Sequence, residues 1–220
     1  PSFGDTGFEN PLANAMTFQD ENGDPVQYRT EALPERKLHF SPRLGFNFDV
    51  KGDRSSQLRG GTGVFTGRPA YVWISNQVGE NGVLTGFEDL SNTAARPWNP
   101  NPNAYKPTNV TGAPASQYGL AYTDPDFKFP QVWRTNIALD QKLPYGIVGT
   151  FEYMYSKDVN GVKYINANLK DPTSAFTGAD TRDRWLGGNA GNRIQSNVSG
   201  AFVLKNQDVG SNWNYAVSLE

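Results

Sequence analysis

Few residues in this chain are spaced for chemistry. In DENGD, Asp20, Asn22 and Asp24 alternate as the first ligands of a calcium loop do, and Glu31 falls at position twelve, where such a loop carries its bidentate carboxylate. Pro25 and Val26 stand where that loop needs its glycine and the following residue, so a solvated Asn-Gly turn is the competing reading. RGGTGVFTGR (59–68) has the glycine density of a phosphate cradle, but Gly67 is followed by Arg68 and Pro69 instead of Lys and Ser or Thr. Its glycines suit close backbone approach within a strand. His39 is the single histidine and cysteine is absent. The chain by itself therefore holds no multi-histidine or thiolate metal site, no disulfide and no cysteine nucleophile. A Ser-His-Asp arrangement would have to use His39, which reads instead as a rim residue ahead of the first strand. Asp140 and Glu152 read as charges on a hydrated face, not as an acid-base pair. The expectation is a protein that is not an enzyme, with no catalytic residue, no cofactor and no metal.

For contact with a ligand the loops are better equipped. YVWISNQ (71–77) offers Tyr71 and Trp73 for stacking, and Asn76 and Gln77 as amide donors and acceptors. RPWNPNPNAY (96–105) carries Trp98 between prolines, and a stiff loop loses less entropy on binding. Plain loop packing is the alternative for both.

What must position these loops is a set of alternating segments. In FSPRLGFNFDV (40–50), Phe40, Pro42, Leu44, Phe46, Phe48 and Val50 alternate with Ser41, Arg43, Gly45, Asn47 and Asp49. That period of two is a strand with two unlike faces. The same pattern runs through 131–143, 147–159 and 211–220, and less regularly through 57–68. Each is long enough to cross a bilayer at a tilt. Leu44, Phe46, Phe48, Trp133, Ile137, Phe151, Tyr153 and Tyr155 are expected to face lipid, with Trp133, Tyr153 and Tyr155 toward the headgroup layer.

Connections decide between a membrane wall and a water-soluble sandwich. KGDRSS (51–56) and PYG (144–146) are tight turns, whereas 1–39, 69–130 and 163–197 are long. In a meander this order puts every short turn at one pole and every long loop at the other, the signature of an outer-membrane barrel. The expected fold is therefore all-β: an antiparallel transmembrane β-barrel segment, with strands near 40–50, 57–68, 131–143, 147–162 and 198–220, the whole of 1–220 lying in one barrel domain. Five strands cannot close a barrel, which takes at least about eight, so a segment of a longer protein is expected. The runner-up is a soluble all-β sandwich that binds a ligand, carbohydrate being one class. Composition agrees with a β protein rich in loops: 13% aromatic residues, 23 glycines and 15 prolines among 220 residues. Mean hydropathy is -0.60 and no apolar run reaches the length of a membrane helix. A net charge of -2 gives no electrostatic case for nucleic acid.

Residues 40–77, FSPRLGFNFDVKGDRSSQLRGGTGVFTGRPAYVWISNQ, resemble a block in TonB-dependent outer-membrane receptors of the Bacteroidetes, the Oar-like and SusC-like group. FKFPQVWRTNIALDQKLPYGIVGTFEYMYSKDVNGV (127–162) is similar to the next pair of strands in that group, and the ending at 206–220 to the strand after it. Loops 78–126 and 166–196 carry no such likeness. The resemblance implies a barrel of about 22 strands filled by a plug, located in the bacterial outer membrane. It also implies gated uptake of a large or scarce ligand, energised through TonB. Implied partners are membrane lipid, the plug and remaining strands of the same protein, TonB through the plug, and in SusC-like members a surface lipoprotein.

Overall fold

The structure is a computed structural model describing residues 9–83, 94–106 and 118–220. In chain order its elements are α1 (Pro11–Asn14), β1 (Phe18–Gln19), β2 (Pro25–Val26), β3 (Arg43–Asp49), β4 (Ser56–Thr66), α2 (Tyr71–Gly79), β5 (Tyr118–Thr123) and β6 (Gln131–Lys142). A 3-10 turn at Pro144–Gly146 follows, then β7 (Val148–Asp158), β8 (Gly161–Asn166), β9 (Ser174–Ala175), β10 (Asp183–Arg184), α3 (Gly188–Gly191), β11 (Val198–Gln207) and β12 (Ser211–Leu219).

The alternating segments assemble as one five-stranded antiparallel sheet in the order β12-β7-β6-β4-β3. Its registers align the segments face for face. One row across the sheet reads Phe46, Gly60, Ile137, Tyr153, Tyr215, and the next reads Phe48, Leu58, Leu139, Phe151, Val217. On the opposite face the corresponding row is Asn47, Arg59, Ala138, Glu152, Ala216. A slip of one residue in any strand would mix these faces, so the pattern itself holds the register.

Both short turns lie at one pole. Between β3 and β4, Asp49 accepts hydrogen bonds from the backbone N–H groups of Gly52 (3.0 Å) and Arg54 (2.9 Å), which fixes a turn whose Gly52 and Arg54 have φ of 75° and 62°. Between β6 and β7, Tyr145 and Gly146 take φ of 66° and 81°. The long connections, 67–130 and 159–210, leave from the other pole, as a barrel requires and a sandwich does not.

Those connections are more than loops. With residues 9–39 they build a folded cap around a three-stranded sheet, β5-β11-β8, in which β11 runs parallel to β5 and antiparallel to β8. Phe18, Tyr28, Tyr118, Leu120, Tyr122, Val198 and Val203 form its core, with a smaller cluster of Ile74, Phe127 and Leu204. Two expected strands accordingly divide. The segment 147–162 splits into β7 in the wall and β8 in the cap. The segment 198–220 splits into β11 in the cap and β12 in the wall.

Glycine has a specific task in β4. The Phe46 ring lies over Gly60, where an added Cβ would come within 2.9 Å of that ring and 2.7 Å of the Asn136 carbonyl oxygen. At Gly45 the nearest atom to an added Cβ is 3.6 Å away. Gly60→Ala is expected to destabilise the full-length protein by about 1–3 kcal/mol through overpacking. Gly45→Ala should stay within about 0.5 kcal/mol of wild type. Urea unfolding in detergent micelles, followed by tryptophan fluorescence, separates the two.

Candidate functional site

The wall has one face for hydrocarbon and one for water. On the apolar face Leu44, Phe46, Phe48, Trp133, Ile137 and Phe151 are exposed, Leu44 at 74%, while Tyr153 and Tyr155 are half-buried by their neighbours on the strands. The cap has its own core and does not cover these side chains. A sandwich would bury them beneath a second sheet, so the soluble alternative is set aside. Toward the cap the apolar face ends in an aromatic band. Trp133 meets Tyr155 edge to face at 6.4 Å, Trp213 meets Tyr215 at 5.3 Å, and the Trp133 indole N–H donates to Thr62 Oγ1 at 2.8 Å. Rings of this kind, half apolar and half polar, suit the headgroup layer.

The opposite face is largely polar, and toward the short turns its side chains pair with one another. Arg59 Nε donates to Asp140 at 2.8 Å, and the Thr150 hydroxyl donates to the same carboxylate at 2.7 Å. Asn136 donates to Glu152 at 3.4 Å, and Gln57 to Asn47 at 2.6 Å. Asp140 and Glu152 thus have structural partners on a hydrated face.

In the cap, the segment expected to alternate as a loop is helix α2. Its geometry turns successive side chains by about 100°, so the residues fall on different sides. Ile74 and Gln77 point inward. The Gln77 amide donates to the backbone carbonyls of Thr30 (3.0 Å) and Ala32 (2.6 Å), and so clamps the N-terminal segment instead of facing a ligand. Tyr71, Trp73 and Asn76 stay on the exposed side, with Trp73 edge to face against Tyr164 at 6.4 Å. Trp98 is on a separate segment and is 87% exposed. His39 stacks on Phe129 at 5.8 Å, at the junction of cap and wall.

Residues 20–24 close the β1–β2 hairpin. The Asp20 carboxylate accepts from the backbone N–H groups of Asn22 (2.8 Å) and Asp24 (3.0 Å), an Asx turn and not a calcium loop. Glu31 is turned away, bonded to Asn14 at 2.9 Å and paired with Arg29. Among the described residues no cluster of three metal-ligating side chains occurs.

The residue that the sequence reading passed over is Glu21. Lys163 and Lys205 are cross-strand neighbours on β8 and β11, two ammonium groups side by side. Glu21 joins both, with Oε1 3.1 Å from Lys163 Nζ and Oε2 bonded to Lys205, while Asp124 lies 3.5 Å from Lys205. Burial alone would raise the Glu21 carboxyl. The Lys205 and Lys163 ammonium groups outweigh it and hold the carboxyl at about 2, against an ordinary 4.5.

A membrane-spanning meander with short turns at one pole, a polar inner face and a cap at the other pole defines the class, a transmembrane β-barrel wall. The chain belongs to the family described as outer membrane beta barrel domain, whose model matches residues 3–214. Its location is the outer membrane. No curated protein matches the chain.

The depressed Glu21 pKa gives the cap a pH dependence of defined sign. Its contribution is complete above about pH 4.5 and is lost as the pH falls toward 2. Glu21→Gln is expected to remove about 1.5–3 kcal/mol from cap stability at neutral pH. Hydrogen exchange of β8 and β11 at neutral and acid pH reads this directly, and the difference between variant and wild type should shrink through that acid window.

Proposed function

We propose that this barrel wall belongs to a TonB-dependent receptor of the Oar-like and SusC-like group, which imports a large or scarce ligand through its lumen. The observation that carries this reading is a folded cap standing over a polar inner face on the same strands. A plain solute pore has no use for a cap with its own hydrophobic core, whereas a receptor must first hold its ligand outside the membrane. The likeness of 40–77 and 127–162 to that group supports the same reading.

On this proposal Tyr71, Trp73 and Asn76 on the exposed side of α2, together with Trp98, meet the ligand. Gln77 serves the frame that holds α2. Edge strands β3 and β12 pair with the remaining strands of the barrel, and a plug occupies the lumen and answers to TonB. A surface lipoprotein closing over the cap completes the SusC-like form. Membrane lipid is the partner of the outer face. No catalytic step, cofactor or nucleic acid enters the scheme.

The test uses the full-length protein purified from outer membranes in detergent. Passed over an immobilised periplasmic domain of TonB from the same bacterium, it is expected to be retained. If it flows through, the TonB assignment fails and the barrel stands. Trp98→Ala should weaken uptake by about tenfold, the loss of one stacking contact, and leave hydrogen exchange of the cap unchanged.

A further inference from the structure

One part of the inner face lacks the internal pairing seen elsewhere. At the cap end, β3, β4 and β6 place Arg43, Gly63 and Arg134 in one row, and Gly45, Gly61 and Asn136 in the next. Three of these six positions are glycine, so the positions of Arg43 and Arg134 are separated by a residue without a side chain. Two of the glycines are needed as such. An added Cβ at Gly63 would lie 2.9 Å from Arg43 Cγ and 2.9 Å from the Pro42 carbonyl oxygen, and one at Gly61 would lie 3.0 Å from the Leu44 carbonyl oxygen. Arg43 is thereby free to lie along the sheet, its guanidinium 4.4 Å from the Phe65 ring centroid. The result is a notch of about 260 Å³, lined among others by Arg43, Gly61, Phe65, Arg134, Asn136 and Met154.

The charges in this notch differ from those nearby. Arg59, on the same face, is neutralised by Asp140 at 2.8 Å. Among the described residues neither Arg43 nor Arg134 has a carboxylate within ion-pairing distance. Arg43 and Arg134 flank one glycine in the same row and both line the notch, so an anion held there has two cations in its lining. Each presents a planar fork of N–H donors that fits a planar oxyanion. Phe65 and Met154 supply an apolar side for the carbon attached to it.

We propose that the Arg43–Arg134 notch is a carboxylate-binding site on the lumen face. The occupant is a carboxylate on a short apolar stem, because the notch is smaller than an ordinary ligand pocket. That group is carried either by a molecule crossing the lumen or by an acidic side chain of the protein's own lumen-filling segment. The proposal does not depend on TonB, since it needs only the inner face of the wall.

The test is arginine modification by phenylglyoxal in the full-length protein in detergent, read by peptide mass spectrometry. Arg54, at the tip of the β3–β4 turn and exposed, is the internal reference. The reaction is run with sodium malonate and with sodium chloride at equal ionic strength. If a free carboxylate is the occupant, malonate slows Arg43 and Arg134 by roughly tenfold relative to Arg54, the protection given by about nine-tenths occupancy. If an internal acid is the occupant, both arginines are slow in chloride as well, and Arg134→Gln returns Arg43 to the rate of Arg54. Two results overturn the proposal. One is reaction of both arginines at the Arg54 rate with and without malonate. The other is slow reaction in both salts that Arg134→Gln does not change, which is coverage without an ion pair.

Discussion

Within hydrocarbon no water can satisfy a peptide group, and an unpaired N–H or C=O there costs several kilocalories per mole. The regularity of the wall follows from that one constraint. Strands β4, β6 and β7 are paired on both edges, β4 with β6 without a break from Ser56 to Thr66. Side chains are then left to decide only which face is which. Glycine is tolerated in β4 for the same reason. Its backbone is tied on both sides, and Phe46 supplies the apolar surface that Gly60 lacks.

Beyond the aromatic band the constraint lapses, and the same polypeptide changes its rules. The ribbon of β7 and β12 continues as β8 and β11, but between them the ladder is interrupted at 159–160 and 208–210. At the break, Asp158 N–H donates to the Gly210 carbonyl at 2.7 Å. An added Cβ at Gly210 would fall 2.0 Å from the Asp158 carboxylate as it stands. Below this point the ribbon has one apolar face. Above it, β11 buries residues on both faces, Leu204 on one and Ala201 and Val203 on the other, while Phe202 stays exposed. One hairpin thus serves two solvents, and the break is where the change is made.

The wall was legible in the sequence because a strand with one face in lipid and one in water must alternate, and alternation can be seen without knowing the partner strand. The cap was not legible for the converse reason. A strand buried on both faces, such as YGLAYT at β5, has no period to detect and reads as loop. YVWISNQ misled in another way. Its aromatic and amide residues alternate, yet burial of Ile74 and Gln77, three positions apart, belongs to a helix. Glu21 was in view within DENGD, but its acidic neighbours suggested a cation, while its true partners, Lys163 and Lys205, lie far away in sequence. The Arg43–Arg134 notch was hidden likewise, since only the register of three strands sets those residues across Gly63.

The parallel pairing of β5 with β11 has a consequence for biogenesis. These partners are about 80 residues apart in the chain, whereas the β3–β4 and β6–β7 hairpins close locally, and distant pairings form late. The cap core is finished only when residues 9–39 and both long connections are in place, since Phe18, Tyr118 and Val198 come from the three of them. Until then Leu120, Tyr122, Val198 and Val203 are without one another, and their apolar surface is open to wrong contacts.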